Sequence, residues 1–280
     1  MLPRMTAALL PLILLSLTGM QDLCAQAQTS TPPQTQDATQ LSSQPDTLVA
    51  VPNRPTFAAT AEMVPRGVFE IEYGLESTSG HQNINGLLKF GAVKNLELWF
   101  LNNPVVRNAG IAGTGDSGAG FKYKVFPQTK TLPTLSVLYI ATLPTAPAAR
   151  GAGAVGHSVQ FLVSKDFGKH HFDFNEGMQF VGRPGASGFD RNYFTALSYF
   201  YPFTKKWGVT GEAAGFSRTN AATPATMVAL EALTYSPSPR LVFDVGGYFA
   251  VYGNLPRFTF AAGLTYAVAN LYHPRRSREK

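Results

Sequence analysis

The sequence predicts an all-β protein, a transmembrane up-and-down antiparallel β-barrel of about twelve strands. Three observations lead to this fold class. Apolar and polar residues alternate with period two from about residue 67 to residue 266. Aromatic side chains recur on the apolar positions, as in a lipid-facing surface with aromatic girdles. Short turns alternate with longer connections rich in small and polar residues.

The clearest strand signal is Phe69-Glu70-Ile71-Glu72-Tyr73, in which the apolar residues share one face and the two glutamates the other. The same alternation recurs along the chain at Leu96-Glu97-Leu98, Phe121-Lys122-Tyr123-Lys124-Val125, Phe172-Asp173-Phe174, Phe243-Asp244-Val245 and Phe258-Thr259-Phe260. A soluble sandwich also alternates in this way. The aromatic character of the apolar face favours lipid as its neighbour.

The spacing of the strands is the second indication of a barrel. We place strands at residues 67–76, 83–92, 96–102, 117–126, 133–142, 156–165, 170–181, 191–201, 206–216, 225–235, 240–250 and 256–266. Their connections are short on one side, as at Lys94-Asn95, and longer on the other, as at residues 103–116 and 143–155. Outer-membrane barrels have short periplasmic turns and longer outward loops.

The ends of the chain differ from this middle part. Residues 1–27 contain Arg4, an apolar run and Ala25-Gln26-Ala27, which is the order of a cleaved secretory signal peptide. Residues 28–53 are rich in Gln, Ser, Thr and Pro and predict a disordered linker. The barrel is expected over residues 54–266 and a basic tail over residues 267–280. Cys24, the only cysteine, lies in the predicted signal, where lipoprotein acylation is an alternative.

Charged residues occupy the face opposite the aromatic residues, and in a barrel they point into the lumen. They either pair with one another and fill the interior or line a selective conduit. Cross-strand pairing is plausible for Glu70 and Glu72 with Lys89, and for Glu97 with Lys122 and Lys124. The candidate lumen-lining residues are Glu70, Glu72, Lys89, Glu97, Lys122, Lys124, Asp173, Glu212 and Asp244.

Nothing in the sequence favours an enzyme. His157 and Ser158 are neighbours and would point to opposite faces of a strand, so they cannot form a catalytic pair. His170 and His171 are expected in a solvated turn. We therefore expect no catalytic residues, no metal site and no cofactor. A basic stripe interleaved with aromatic residues is not visible, so nucleic acid is not an expected partner.

Several short motifs resemble an outer-membrane barrel family named for the meta-pathway of phenol degradation, whose members are often labelled transporters. The motifs are NRPTF at residues 53–57, VPRGVFEIEYG at 64–74, LLKFG at 87–91, LEL at 96–98, GAGFKY at 118–123, LPT at 143–145, the run at 207–212, and GLTY at 263–266. The resemblance implies passive movement of small hydrophobic or aromatic compounds across the bacterial outer membrane. The usual barrel ends on an aromatic residue, whereas this chain continues past Tyr266.

Three hypotheses follow from these observations. The first is a transport-type barrel for small hydrophobic solutes, with outer-membrane lipids and the barrel assembly machinery as its other partners. The second is a structural or anchoring barrel whose lumen is closed by its own charge pairs. The third is a soluble exported β-sandwich that binds a small ligand.

Overall fold

The computed structural model describes residues 48–272. The predicted signal peptide lies outside these residues, as do residues 28–47 of the predicted linker and residues 273–280 of the predicted tail. The described residues form strands, and none of them belongs to a helix long and apolar enough to span a membrane. The strands in chain order are β1 Val68–Thr78, β2 His81–Val93, β3 Leu96–Asn108, β4 Ile111–Gly113, β5 Ser117–Phe126, β6 Thr134–Leu143, β7 Gly156–Phe167, β8 His170–Gly182, β9 Phe189–Pro202, β10 Trp207–Phe216, β11 Thr226–Ser238, β12 Leu241–Tyr252 and β13 Phe258–Asn270.

The sheet closes on itself. Apart from β4, each strand pairs antiparallel with the next, β3 pairs directly with β5, and β13 pairs with β1. β4 pairs with the end of β3 and lies outside the ring, so the barrel wall has twelve strands. The predicted all-β fold with a closed antiparallel barrel of twelve strands is confirmed. Closure matters because an unpaired backbone group in hydrocarbon costs several kcal/mol.

The wall has an apolar outer face and a mixed inner face. On β9, for example, Tyr193 and Leu197 point outward and are 53% and 51% exposed, whereas Phe194 and Ala196 point inward and are buried. Aromatic pairs lie on the outer face near both ends of the strands, such as Trp207 with Tyr235 and Phe249 with Phe258. The outward position of the aromatic and aliphatic side chains agrees with the expected lipid-facing band.

The two ends of the barrel differ in their connections. We call the turn end the one where β1 begins, β13 ends and the two-residue connections 94–95, 168–169 and 239–240 lie. The opposite, loop end carries the long connections 144–155 and 217–225. Two connections depart from the predicted alternation. Residues 127–133 form a longer connection at the turn end, and residues 79–80 form a tight turn at the loop end.

The third strand is longer than the predicted strand at residues 96–102. It continues to Asn108 and forms a small hairpin with β4 through Ala109 and Gly110, which have φ values of 45° and 86°. A tight hairpin turn of this type needs positive φ at both central residues. Residues 103–116 were expected to form a longer connection. Pro104 lies where the pairing of β3 with β2 shifts register, and an irregularity of that kind tolerates proline.

The barrel domain also differs at its boundaries from the expected range of residues 54–266. The last strand continues four residues beyond Tyr266, to Asn270, and pairs there with the start of β1. At the other end, residues 48–53 fall in the segment predicted as linker. In the structure they run along the inner wall of the barrel, and Val51 N donates to Glu70 Oε2 at 2.8 Å.

The lipid-facing position of the outer residues can be tested with an arginine scan. Leu197→Arg, near the middle of β9, should lower the free energy of unfolding by about 2–4 kcal/mol, because a cation at the bilayer midplane is poorly solvated. Phe203→Arg, in a connection at the turn end, should lower it by about 1 kcal/mol or less. Urea titration of the protein in phospholipid vesicles measures both. Equal losses at the two positions would contradict a lipid-facing wall.

Candidate functional site

The site is the lumen of the barrel and the chain segment inside it. Eight of the nine predicted lumen-lining residues are buried on the inner wall, with exposures of 7% or less. The ninth, Lys124, is half-buried, and the exposed fraction of its side chain is 17%. The structure therefore brings the nine residues to one face of the sheet: Glu70, Glu72, Lys89, Glu97, Lys122, Lys124, Asp173, Glu212 and Asp244.

Residues 48–66, which we call the plug segment, fill much of this lumen. One end is held where Ala50 N donates to Pro239 O at 2.8 Å, in a connection at the turn end. The other end is held where Val68 N donates to Pro65 O at 2.9 Å, at the start of β1. The segment therefore enters and leaves at the turn end and forms a loop within the barrel.

The first arm of the plug segment lies against Lys89. The Lys89 ammonium forms ion pairs with Glu70 at 2.6 Å and with Glu72, and it donates to Val51 O at 2.5 Å. Glu70 and Lys89 are directly opposite each other on β1 and β2, so strand register makes their pairing possible. Because the Lys89 ammonium also binds the Val51 carbonyl, this charge group holds the plug segment as well as the wall.

The tip of the plug segment, residues 53–58, is held in part by Glu72 and Asp244. Glu72 accepts hydrogen bonds from Asn53 N and Arg54 N, each at 3.1 Å. The Arg54 guanidinium pairs with Asp244 at 3.4 Å and donates to Asn85 Oδ1 at 2.7 Å. Arg54 thus supplies from the plug segment the cation that Asp244 needs in a buried position.

Glu212 binds the plug segment through backbone groups. Its two oxygens accept hydrogen bonds from Phe57 N at 2.8 Å and Ala58 N at 2.6 Å. The Phe57 ring packs against Tyr248, with 5.0 Å between centroids, and the Tyr248 hydroxyl donates to Pro55 O at 2.7 Å. Within residues 48–272, Glu212 takes part in no ion pair, so N–H groups of the plug segment are its counterpart.

The return arm lies against the second lysine pair. Lys122 Nζ donates to Thr60 O at 3.0 Å and Glu62 O at 2.5 Å, and it lies 3.3 Å from Glu97. Glu97 Oε2 in turn accepts a hydrogen bond from Val64 N at 2.6 Å. Glu97, like Glu70, therefore pairs with a wall lysine and also holds the plug backbone.

Asp173 acts on the plug segment through a serine. Ser164 Oγ donates to Asp173 at 2.5 Å and accepts a hydrogen bond from Ala61 N at 2.6 Å. Ser136 Oγ donates to Ala61 O at 2.6 Å from the neighbouring strand. Lys124 completes the set through an ion pair with Glu62 at 2.6 Å.

Sequence reasoning missed the plug segment and the two serines. The available signal was a stretch of the predicted barrel domain, residues 54–66, that carries no alternation and to which no strand was assigned. Ser136 and Ser164 sit on the period-two face of their strands, which also carries Leu138 and Leu162. That pattern identifies the inner face of each strand but does not show which groups the two serines bind.

The histidines considered for chemistry lie apart. His157 contacts the Tyr139 hydroxyl at 2.8 Å, whereas the adjacent Ser158 accepts from Gln160 Nε2 at 3.1 Å on the opposite face. His170 and His171 were expected in a turn, but they begin β8, where pairing with β7 continues to Phe167. No group of three or more His, Cys, Asp or Glu residues suited to a metal ion occurs in residues 48–272.

A cavity of ≈ 270 Å³ remains between the plug segment and one side of the wall. The plug segment borders it with Phe57 and Ala59, and Arg54 lies at its polar edge. Five of the wall residues that line it are apolar, namely Leu87, Trp99, Leu101, Leu138 and Ile140, and the others are Glu72, Asn85, Gly86 and Gln160.

No protein-family model and no curated protein matches the sequence of this chain. Solved structures do match its fold. The NanC porin has a TM-score of 0.55 and 10% identity over 71% of this chain and 100% of its own. The COG4313 outer membrane channel from Pseudomonas putida F1 has a TM-score of 0.59 and 15% identity over 76% of this chain and 99% of its own. At such identities the likeness concerns the fold alone, a closed antiparallel β-barrel.

The difference between buried and half-buried lysines gives a stability test. Lys89→Met should lower the free energy of unfolding by about 3–5 kcal/mol, because it leaves Glu70 and Glu72 buried without their cation. Lys124→Met should lower it by about 1 kcal/mol or less, since its pair with Glu62 is partly exposed. Denaturant titration of the folded barrel measures both. If the two variants lost the same stability, Lys89 would not hold the interior together.

Proposed function

We propose that this chain is a bacterial outer-membrane channel that passes small hydrophobic or aromatic compounds, and that the plug segment closes its lumen in the state described. The observation that carries the proposal is the occupation of the lumen by a segment bound to the wall carboxylates Glu72, Glu97 and Glu212. The porin-like fold supports the membrane location. The motif resemblance to the phenol-degradation barrel family supports the same class of solute.

The space beside the plug segment favours apolar solutes over ions. Its apolar lining comes from leucine, isoleucine, tryptophan and phenylalanine side chains, and its neutral polar lining from asparagine, glutamine and threonine side chains. The charges at its edge, Arg54 and Glu72, are already paired. An ion entering there would lose hydration without gaining a partner, which is strongly unfavourable. A hydrophobic solute loses nothing comparable.

The plug segment is attached in a way that permits release. Many of its contacts with the wall are hydrogen bonds from its own backbone to carboxylate and serine oxygens, as at Glu212 and Ser164. Water can replace such partners once the lumen is hydrated, so the net free energy of each bond is only about 1 kcal/mol, or somewhat more with a charged partner. We therefore infer that displacement of the tip opens the passage.

A structural or anchoring barrel is the second candidate. The full burial of Lys89 and Lys122 among their carboxylates favours it, because these groups fill the lumen as a permanent core would. The two candidates differ in one respect: a channel needs the plug segment to move, whereas an anchor does not.

A reversible cross-link tests whether movement of the plug segment is needed. Ala58 on the plug segment and Ala214 on β10 are both buried in one packed cluster. In a Cys24→Ser background, the double variant Ala58→Cys with Ala214→Cys should form a disulfide on oxidation. Uptake of radiolabelled toluene by cells producing it should then fall to the level of cells lacking the chain, and a reductant should restore it.

The two single-cysteine variants are the matched controls, since they cannot cross-link and should keep uptake under oxidant. Thiol labelling confirms that the disulfide forms. Undiminished toluene uptake by the cross-linked protein would refute passage through a lumen opened by the plug segment.

Removal of residues 48–65 should convert the barrel into an open, cation-selective pore. The nine wall residues comprise six carboxylates and three lysines, a surplus of three negative charges that the plug segment offsets with N–H donors. Planar-bilayer recordings should show conductance steps with cation preference in the deletion variant and few steps in the intact chain. Substituting Glu212 and Asp244 by Gln and Asn in the deletion variant should reduce that preference. Absence of steps after deletion would favour the anchoring role.

A further inference from the structure

We propose that the cavity beside the plug segment is a binding site for one neutral, largely apolar molecule of about the size of a substituted single aromatic ring. This proposal rests on the proposed channel function and assigns the place where the solute stops within the lumen. The cavity measures ≈ 270 Å³. A dry apolar cavity of about 150 Å³ already holds benzene, so the space admits one ring with small substituents.

β5 carries glycines on its inner face, next to residues of β3 and β6 that line the cavity. Lys122 points into the lumen, so Gly120 and Gly118, two and four residues earlier, share its face. In the sheet they lie opposite Trp99 and Leu101 on one side, and Gly120 lies opposite Ile140 on the other. A Cβ atom at Gly120 would come within 2.2 Å of Tyr139 O, so the backbone approach at this position requires glycine.

The aromatic wall of the cavity is held in one orientation. The Trp99 indole N–H donates to Glu97, and the Lys122 ammonium lies 5.3 Å from the centroid of the Trp99 ring. Trp99 is 6% exposed and packs with Leu138 and Leu162. A ring fixed in this way offers an aromatic surface without a loss of side-chain entropy when a ligand binds.

The polar edge determines the charge of the ligand. Arg54 is engaged by Asp244 and Asn85, and Glu72 is engaged by Lys89 and by plug N–H groups. A charged ligand would have to break one of these pairs, whereas a neutral one leaves them intact. Gln160 donates to Ser158 through its Nε2 and keeps its Oε1 as an acceptor for a hydroxyl group. The site therefore selects neutral molecules, with room for one polar substituent.

Fluorescence of Trp99 tests the site directly. The chain has two tryptophans, so Trp207→Phe leaves Trp99 as the single reporter in the full-length protein. Nitrobenzene, a neutral aromatic quencher, should quench Trp99 in detergent solution in a saturable manner. The charged analogues 4-nitrobenzoate and 4-nitrobenzylammonium should not reach saturation over the same concentrations.

Two variants that fill the cavity and one matched control complete the test. Leu138→Phe and Ile140→Phe should weaken nitrobenzene binding by about tenfold or more, since a pocket that loses volume rejects a ligand it formerly fitted. Val137→Phe adds the same side chain to the same strand on the opposite, outer face and should bind as before. Heat-modifiable gel mobility establishes that each variant is folded, and Ile140→Phe, at a half-buried position, serves if Leu138→Phe does not fold.

The outcomes separate the site from the function. Non-saturable quenching, equal binding by the filled and control variants, or saturable binding of the charged analogues would overturn the proposed site. Unchanged toluene uptake by cells producing Ile140→Phe, together with lost nitrobenzene binding, would place the site off the transport path and overturn it as a stopping point. Saturable, variant-sensitive binding without any toluene uptake would uphold the site and refute the channel.

Discussion

Every backbone N–H and C=O group removed from water needs a hydrogen-bond partner, and both the barrel wall and the plug segment follow from that requirement. In the wall, pairing of β13 with β1 removes the last open edge, so a sheet that faces lipid leaves no ladder unfilled. In the lumen, the plug segment forms no ladder with a strand, and its N–H groups donate to Glu72, Glu97 and Glu212 on the wall. The same constraint that closes the barrel therefore also determines what fills it.

The lysines of the inner wall have two functions, since they form ion pairs with glutamates and also hold the plug segment. Lys89 and Lys122 neutralise neighbouring glutamates, which would otherwise be buried without a cation. The same lysines also donate to carbonyls of the plug segment, at Val51 and Thr60. Because one group serves both purposes, the segment and the wall are expected to gain and lose order together. A closed lumen is then compatible with a channel, provided that the tip can exchange its wall partners for water.

The plug segment packs closely against one side of the lumen and leaves a cavity on the other. On one side, Phe57 and Ala58 pack against Tyr248 and the apolar residues near Glu212. On the other side, a cavity remains between the segment and wall residues that include Trp99. A molecule in this cavity would meet leucine, isoleucine and tryptophan side chains, with Glu72 and Arg54 at the polar edge. An intact and a plug-free barrel should therefore differ in the chemistry that they admit as well as in how wide they are.

The sequence by itself determined the barrel, because alternation with period two and aromatic residues on one face are local properties that survive in any register. It also placed the charged residues on the inner face, since Glu70, Glu72 and Lys89 follow the same alternation. The length of β3 past Pro104 was not predictable, because it depends on a register shift against β2. Only the tertiary structure decided the role of residues 48–66, whose hydrogen-bond partners lie up to 208 residues away in the sequence. Because the segment has no periodicity, its sequence does not predict the surface that it binds. Its conformation is fixed by the carboxylates that barrel closure brings around it.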